Sequence, residues 1–441
     1  MSFEFILVER ILFYALCGLV ICSPGEWALC SYLVLTHFDL SVLQSEFSPT
    51  STIGYENVIR VIVIPAFLLY RLRKVRVPVE QWRGIGGAWL LLACYAGVAA
   101  LWSPFRLSGE KVSVYLFTYG LLFVVLTRAI KAGWVTYRGL GCALWGVLLV
   151  AFIQTYLLGN VEGSIDGPIF SQRFTSFTSV PSFAEFLLVI SLMMLCLRRS
   201  GISLYLSLTG ALVGIIMSGS RSGFIATLAA ILIVSVFFGR GVLTRISWAA
   251  LVRRTLGGLA IGASVIYLVT LFAPVNRLNE LIQTSMSGSN DLSEVGTFAW
   301  RLAIYERAVS DIGDFGTREL FFGRGSASGG QLKMTVLPEF TEDTVDASRV
   351  FHDEFLHSMY EWGLVGLILL TAFYAQLLYL TLKGGLRQGR FAYIAALAAI
   401  PAFTFGLLVE NFLADAGDAG GTAFTLIFAF AAVSSVRQER D

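Results

Sequence analysis

The chain has 441 residues, of which 56% are hydrophobic and 14% are charged, and its formal net charge is +2. This composition is too apolar for an ordinary soluble domain. The net charge is too small to indicate nucleic-acid binding. All six cysteines lie in or beside apolar runs. The outer loops described below have none, which excludes a disulfide framework and zinc-finger spacing.

Successive apolar runs are long enough to cross a hydrocarbon core of about 30 Å. They predict an all-α polytopic membrane protein with about twelve transmembrane helices. The runs cover residues 4–22, 57–72, 86–103, 111–129, 137–158, 181–197, 203–219, 221–239, 256–273, 363–382, 391–412 and 420–436. Segment 27–38 is too short to span and is expected to be re-entrant or interfacial. Glu9 and Arg10 interrupt the first run, so we expect no cleavable signal peptide.

Lysine and arginine collect on one side of this topology, in loops 71–76, 128–131, 197–200, 239–254 and 383–390 and in the C-terminal tail. Positively charged loops stay in the cytoplasm. Both termini are therefore expected in the cytoplasm. The predicted organisation is transmembrane helices over 1–273, a large extracytoplasmic loop with amphipathic helices over 274–354, and transmembrane helices over 355–441.

Two of the three histidines lie in "FHDEFLHSMYEWGLVG" (351–366), where the long outer loop enters the membrane. His352 and His357 are five residues apart, or about 140° around a helix, so they diverge instead of binding one metal ion as an i, i+4 pair does. Glu354 and His357 form a Glu-x-x-His pair, but a di-iron bundle needs a second copy. We therefore expect no metal site, and we assign acid/base or hydrogen-bonding work to His352.

Two outer-face arginines accompany this motif. Arg221 lies in "MSGSRSGF" (217–224) between two predicted helices, and Arg301 lies in "FAWRLAIYERAV" (298–309) on an amphipathic helix of the long loop. Either one alone is equally well explained as a snorkelling interface anchor. Together with His352 they indicate an anion site, since two forked guanidinium groups can grip a diphosphate.

A third arginine, Arg173, lies in "SQRFTSFTSVPSFAEFLL" (171–188), before a helix that carries Glu185. An ionisable residue within a membrane helix is a functional candidate, although pairing of Glu185 with a structural arginine is equally open, and Glu410 has the same ambiguity. "GRGSASGG" (323–330) lacks the Lys-Ser/Thr of a P-loop and predicts a flexible loop.

Five segments, in order and on one predicted side, resemble the O-antigen ligase and O-antigen polymerase family of bacterial membrane glycosyltransferases. They are "RFTSFTSVPSFAEFLL", "SGSRSGF", "RLAIYERAV", "LFFGRGSAS" and "HDEFLHSMYEWGLVG". Two departures are Asp353, where the family often has asparagine, and Val180-Pro181-Ser182, where it usually has asparagine-proline-asparagine. We expect these departures to bear on the choice of sugar acceptor.

The resemblance implies a GT-C-like fold in the bacterial inner membrane, with its active site facing the periplasm. It implies en bloc transfer of a glycan from undecaprenyl diphosphate to a hydroxyl of a glycan or lipid-linked acceptor, with inversion and without a metal ion or other cofactor. Membrane lipid, a chain-length regulator and other polysaccharide assembly proteins are the further partners expected.

By the same resemblance His352, Arg221 and Arg301 are the expected catalytic residues. Both arginines hold the diphosphate and Arg173 contacts the donor, while Glu185 and His357 are further substrate-binding candidates. The alternative is a transporter or flippase for a lipid-linked or anionic substrate. Such proteins often contain internal repeats, and we find none in this sequence. Polymerase and ligase stay open, because they differ only in acceptor.

Overall fold

The structure, a computed structural model, describes residues 3–38, 55–77, 85–157, 180–197, 201–218, five positions between 220 and 230 (220, 223, 226, 227 and 230), 296–337, 351, 353–387 and 419–434. All regular secondary structure in these ranges is helical. For the described residues this confirms the all-α prediction.

The described apolar helices follow the predicted runs closely. In chain order they are α1 (Phe3–Cys22), α2 (Gly25–Leu35), α3 (Tyr55–Val58 and Ile64–Arg71, joined by a π-helical turn at Ile59–Val63), α4 (Ile85–Ala99, extended by a 3₁₀ turn at Ala100–Trp102), α5 (Arg106–Lys131), α6 (Tyr137–Phe152, extended by a π-helical turn at Ile153–Leu157), α7 (Val180–Leu197) and α8 (Ile202–Ser218). The long loop contains α9 (Gly296–Gly313), α10 (Thr317–Phe322) and α11 (Gly329–Val336), and the chain continues with α12 (Glu354–Arg387) and α13 (Ala419–Ser434). The runs predicted at 221–239, 256–273 and 391–412 lie wholly or mostly outside the described residues.

Three helices in the described ranges are long and apolar enough to cross a membrane: Arg106–Lys131, Tyr137–Leu157 and Glu354–Gln376. Shorter apolar helices occupy Gly86–Trp102, Ser182–Leu197, Ile202–Ser218 and Gly421–Phe430. These helices fit a membrane protein. The total of twelve spans and the division at residues 273 and 354 stay predictions.

The two ends of α5, which is about 39 Å long, contact different parts of the chain. Beyond its C-terminal end, the guanidinium of Arg71 lies 5.3 Å from the ring centre of Trp134. At its N-terminal end, Gly109 packs against Ser326, whose hydroxyl donates to Ala96 O at 2.7 Å. The basic loops after α3 and α5 thus share one end of the bundle and the long loop lies at the other, as the charge pattern predicts.

The orientation of α1 differs from the expectation. Arg71 donates to Val20 O at 3.2 Å, and Thr136 donates to Glu26 Oε2 at 2.7 Å. The α1–α2 turn therefore lies at the basic end, and Phe3 points toward the end that holds the long loop. The N-terminal end of α1 thus lies opposite the basic loops, whereas the sequence argument expected it on their side. The sequence argument was wrong here because it did not anticipate that α2 folds back against α1 as a hairpin.

The short helix α2 ends inside the helical bundle. Its 11 residues span about 16 Å, which agrees with the prediction of a segment too short to cross. The buried Arg60, within the π-helical turn of α3, donates to Phe38 O at 2.6 Å and so satisfies a carbonyl beyond the end of α2. The third histidine, His37, is also buried there, with its ring edge-on to Phe186 at 4.3 Å.

Candidate functional site

The histidine motif begins with a capped helix. Asp353 Oδ1 accepts hydrogen bonds from the backbone N–H groups of Phe355 at 2.8 Å and Leu356 at 2.9 Å. Asp353 is therefore the N-cap of α12, a position where aspartate and asparagine serve about equally well. This explains the departure from the family pattern without involving the acceptor. His352 lies outside the described residues, between Phe351 and this cap.

Helix α12 breaks at Gly363, nine residues after its start. Gly363 has φ 62° and ψ −163°, a conformation that favours glycine. Just before the break, the carbonyl groups of Tyr360 and Glu361 accept from the N–H groups of Arg324 at 3.1 Å and Gly325 at 2.8 Å. Residues 354–362 of the histidine motif thus form a short helix of their own, joined to the glycine-rich segment of the long loop.

That glycine-rich segment, residues 323–330, is a packed turn and not the flexible loop expected from its composition. Gly323 and Gly325 have positive φ, as does Ala327 at 68°. A Cβ atom at Gly323 would collide with the backbone of Glu361. The residues from 325 to 330 are all buried. The small side chains therefore permit close backbone contact with α12.

Glu361 is the acceptor around which this glycine turn folds. Its Oε2 accepts from Ala327 N–H at 2.5 Å and its Oε1 accepts from Gly329 N–H at 3.1 Å. His357 Nε2 lies 2.8 Å from the same Oε2. With two main-chain donors fixed, a third bond donated by His357 fits an ionised carboxylate. Both side chains are at most 2% exposed.

The imidazole ring of His357 contacts two aromatic rings. Phe351 stacks on it with ring centroids 5.6 Å apart and an interplanar angle of 21°, and the Trp362 ring lies 5.4 Å away on a tilt of 32°. Trp362 Nε1 in turn donates to Ser326 Oγ at 2.8 Å. The contact with Glu361 and the two aromatic contacts together fix the orientation of the His357 ring.

The helix that carries Arg301 packs against the same region. Ile304 and Ala308 of α9 form a buried cluster with Leu332, Phe351 and Tyr360. Position 301 precedes Ile304 by three residues and Ala308 by seven, so it falls on the same stripe of the helix. The structure therefore brings the Arg301 helix beside Phe351, the residue before His352. Of the Arg301 side chain itself the structure describes nothing.

A polar cluster formed by Arg324, Asp311 and Tyr360 was not anticipated from the sequence. Arg324 Nη1 donates to Asp311 Oδ2 at 2.9 Å and to the Tyr360 hydroxyl at 2.8 Å. Burial lowers the pKa of Arg324, but Tyr360 and Asp311 more than offset this and hold the pKa above its ordinary value. Arg307 pairs with the other carboxylate oxygen of Asp311 at 2.9 Å. These bonds fix α9 and the glycine turn to α12.

Gly223, two residues after Arg221, lies against the helix that carries Glu185. Ser220 Oγ accepts from Gly223 N–H at 3.1 Å, which is the bond of a helix N-cap. Gly223 packs so closely on Ala184 that a Cβ atom would collide with it. Glu185 is the next residue of α7 and is 3% exposed. Arg221 itself and Arg173 lie outside the described residues, as does Glu410.

Within the described part of the chain, no group of three or more His, Cys, Asp or Glu side chains is arranged to hold a metal ion. Glu361 was assigned no role in the sequence analysis, although its spacing from His357 could have indicated one. It follows His357 at i+4, the spacing at which helical side chains meet. Its other partners, Ala327 and Gly329, are more than thirty residues away in the chain and had no local signal.

The comparisons with known proteins agree with the resemblance. Residues 202–371 match the family described as O-Antigen ligase. This range contains α8, the long loop and the first half of α12. No curated protein matches the chain.

Proposed function

We propose, because residues 202–371 match the family described as O-Antigen ligase, that this protein is a glycosyltransferase that moves a glycan en bloc from undecaprenyl diphosphate to an acceptor hydroxyl. The reaction takes place at the extracytoplasmic face of the inner membrane. No nucleotide is needed there, because the sugar–phosphate bond of the donor is already activated.

The observation that carries the proposal is the convergence of two motif segments. The helix that contains Arg301 and the segment on both sides of His352 pack into one buried cluster through Ile304, Ala308 and Phe351. The helix that carries Arg301 and Phe351, the residue before position 352, are thus packed against each other, which supports one preorganised site. Such preorganisation is what electrostatic catalysis requires.

In the proposed step, the acceptor hydroxyl oxygen attacks the anomeric carbon of the donor as the bond from that carbon to the diphosphate oxygen breaks. The electron pair leaves with undecaprenyl diphosphate, and Arg221 and Arg301 stabilise its charge. His352 accepts the hydroxyl proton or orients the hydroxyl for attack. One displacement inverts the anomeric configuration. Arg173 contributes to donor binding, and the arginines replace a metal ion.

The test uses purified full-length protein in lipid nanodiscs with a labelled undecaprenyl-diphosphate glycan. Two acceptors are supplied separately: a second lipid-linked repeat unit and a lipopolysaccharide core. Elongation of the first identifies a polymerase, and glycosylation of the second identifies a ligase. The product linkage should have the anomeric configuration opposite to that of the donor. Retention of configuration would contradict the single-displacement step.

One observation favours a transporter as the second candidate. Helix α2 ends within the bundle beside the buried Arg60 in a π-helical turn, and discontinuous helices with buried charge are typical of transporters. A transporter would move the labelled donor across proteoliposome membranes without forming a glycosidic product. Transfer in nanodiscs, where there is no second compartment, would exclude transport as the primary activity.

A further inference from the structure

We propose that Glu361 is a positioning residue that couples the glycine turn at 323–330 to the segment carrying His352, acting through the ring of His357. The inference rests on the proposed transfer reaction for its kinetic consequence. Its structural consequence can be measured independently of any reaction.

The first link joins the glycine turn to Glu361. Two N–H groups of the turn, those of Ala327 and Gly329, donate to its two carboxylate oxygens. Ala327 has φ 68°, a left-handed conformation that is unfavourable for a non-glycine residue. The bond to the carboxylate offsets this cost and holds the turn in shape.

The second link runs from Glu361 to His357. Oε2 accepts from Ala327 N–H and lies 2.8 Å from His357 Nε2. A neutral glutamine cannot satisfy all three donors, because one of its two terminal atoms is itself a donor. In one orientation, the amide N–H of a glutamine at 361 would face Gly329 N–H. In the other, it would face Ala327 N–H and the imidazole.

The third link runs from His357 to the residues beside position 352. The imidazole stacks on Phe351 at 5.6 Å, and the backbone N–H of His357 donates to Asp353 O at 2.9 Å. Phe351 is 1% exposed and also contacts the α9 helix of Arg301 through the Ile304 cluster. His357 therefore contacts both neighbours of His352. A shift of its ring would disturb Phe351 and Asp353, the residues on either side of position 352.

The test compares Glu361→Gln, His357→Phe and the double variant with the parent in nanodiscs. Glu306→Gln, on the exposed face of α9, is the matched charge control. We expect Glu361→Gln to lower kcat on the order of 10²-fold, the size expected from a displacement of about 1 Å in a catalytic group, with donor KM nearly unchanged. His357→Phe keeps the stacking but loses the hydrogen bond and should also lower kcat.

The double variant separates positioning through His357 from a general effect on folding. If Glu361 acts through His357, the double variant should be no slower than the slower single variant. If the two losses multiply, Glu361 acts on the turn alone and the proposal is wrong. Parent-like kcat in Glu361→Gln would also overturn it.

Amide hydrogen exchange gives the readout that does not depend on activity. Glu361→Gln should raise exchange both at Ala327 and Gly329 and over residues 353–357, whereas His357→Phe should raise it over 353–357 only. If Glu361→Gln leaves 353–357 as protected as in the parent, there is no coupling and the proposal fails. If the parent transfers no glycan, the proposed function fails, and the exchange pattern still decides whether Glu361 links the two segments.

Discussion

Arg221 and Arg301 are the residues on which the proposed chemistry depends most directly. Arg221→Lys and Arg301→Lys preserve charge, but an ammonium group cannot reproduce a bidentate fork. Each variant should therefore lower the transfer rate on the order of 10²–10³-fold. Arg318→Lys, at an exposed position of α10, is the matched control and should be unaffected. Initial rates with labelled donor are the measurement, and parent-like rates in both variants would remove the diphosphate site.

The two histidines should differ in their importance. His352→Ala should reduce transfer roughly 10²–10⁴-fold if His352 serves as a base, while donor affinity changes little. His357→Ala should lower transfer less than His352→Ala does, because His357, which is paired with Glu361, positions the segment around position 352 and does not itself take the proton. Donor affinity measured alongside turnover checks both variants. Loss of donor binding in His352→Ala would show that this residue contacts the donor and not the acceptor.

Asp353 should behave as a helix cap and not as an acceptor-specificity residue. Asp353→Asn keeps an oxygen for the N–H groups of Phe355 and Leu356, so both stability and acceptor preference should match the parent. Asp353→Ala should lower stability by about 1 kcal/mol. Thermal unfolding midpoints and competition between two acceptors provide the measurements. A change of preferred acceptor in Asp353→Asn would contradict the cap interpretation.

Local spacing decides how far the site can be predicted from the sequence. The divergence of His352 and His357 was predicted by placing both on one helix, but position 352 precedes Asp353, the N-cap of α12, so helical periodicity does not apply to it. The charged residues of the long loop are visible by inspection. The role of Glu361 is not visible, because it requires knowing that Ala327 N–H and Gly329 N–H point at its carboxylate. Asp311 and Arg324 likewise meet only when α9 packs against the glycine turn.

At the level of elements, the break at Gly363 is the feature that positions the histidine motif. A Cβ atom there would lie 2.6 Å from Gly323 N and from Phe321 C and O. The positive φ alone costs alanine roughly 1–2 kcal/mol. Gly363→Ala should therefore lower the unfolding midpoint and impair transfer, whereas Gly313→Ala, which has open space around it, should do neither. Equal midpoints for these two variants would contradict the packing described here.

Helix positions were predictable because apolar runs in a membrane protein are long and continuous. The α4, α5, α6, α7 and α8 helices begin and end within a few residues of the predicted runs, apart from the start of α5, which is five residues earlier. The glycine turn was misjudged because composition alone cannot distinguish a mobile glycine-rich loop from one folded around a carboxylate. The hairpin of α1 and α2 was missed because its evidence lies in contacts with Arg71 and Thr136.

At the scale of the whole molecule, the account predicts which positions face the two sides of the membrane. Thr317→Cys, exposed in the long loop, should react with an impermeant thiol reagent in intact spheroplasts when placed in a cysteine-free background. A single cysteine at the native Cys22 or at Lys74, both exposed at the basic end, should react only after permeabilisation. The opposite pattern would invert the topology and place the proposed site in the cytoplasm.

The measurement that tests the central claim most directly is release of undecaprenyl diphosphate by the purified protein in EDTA. With donor and acceptor both present, we expect one undecaprenyl diphosphate released for each glycan transferred, at a rate that EDTA does not change. The variant with Arg221→Lys, Arg301→Lys and His352→Ala combined should release none above background. Activity that disappears in EDTA and returns with a divalent ion would contradict charge stabilisation by arginine. Equal release by the parent and the triple variant would contradict the proposed active site itself.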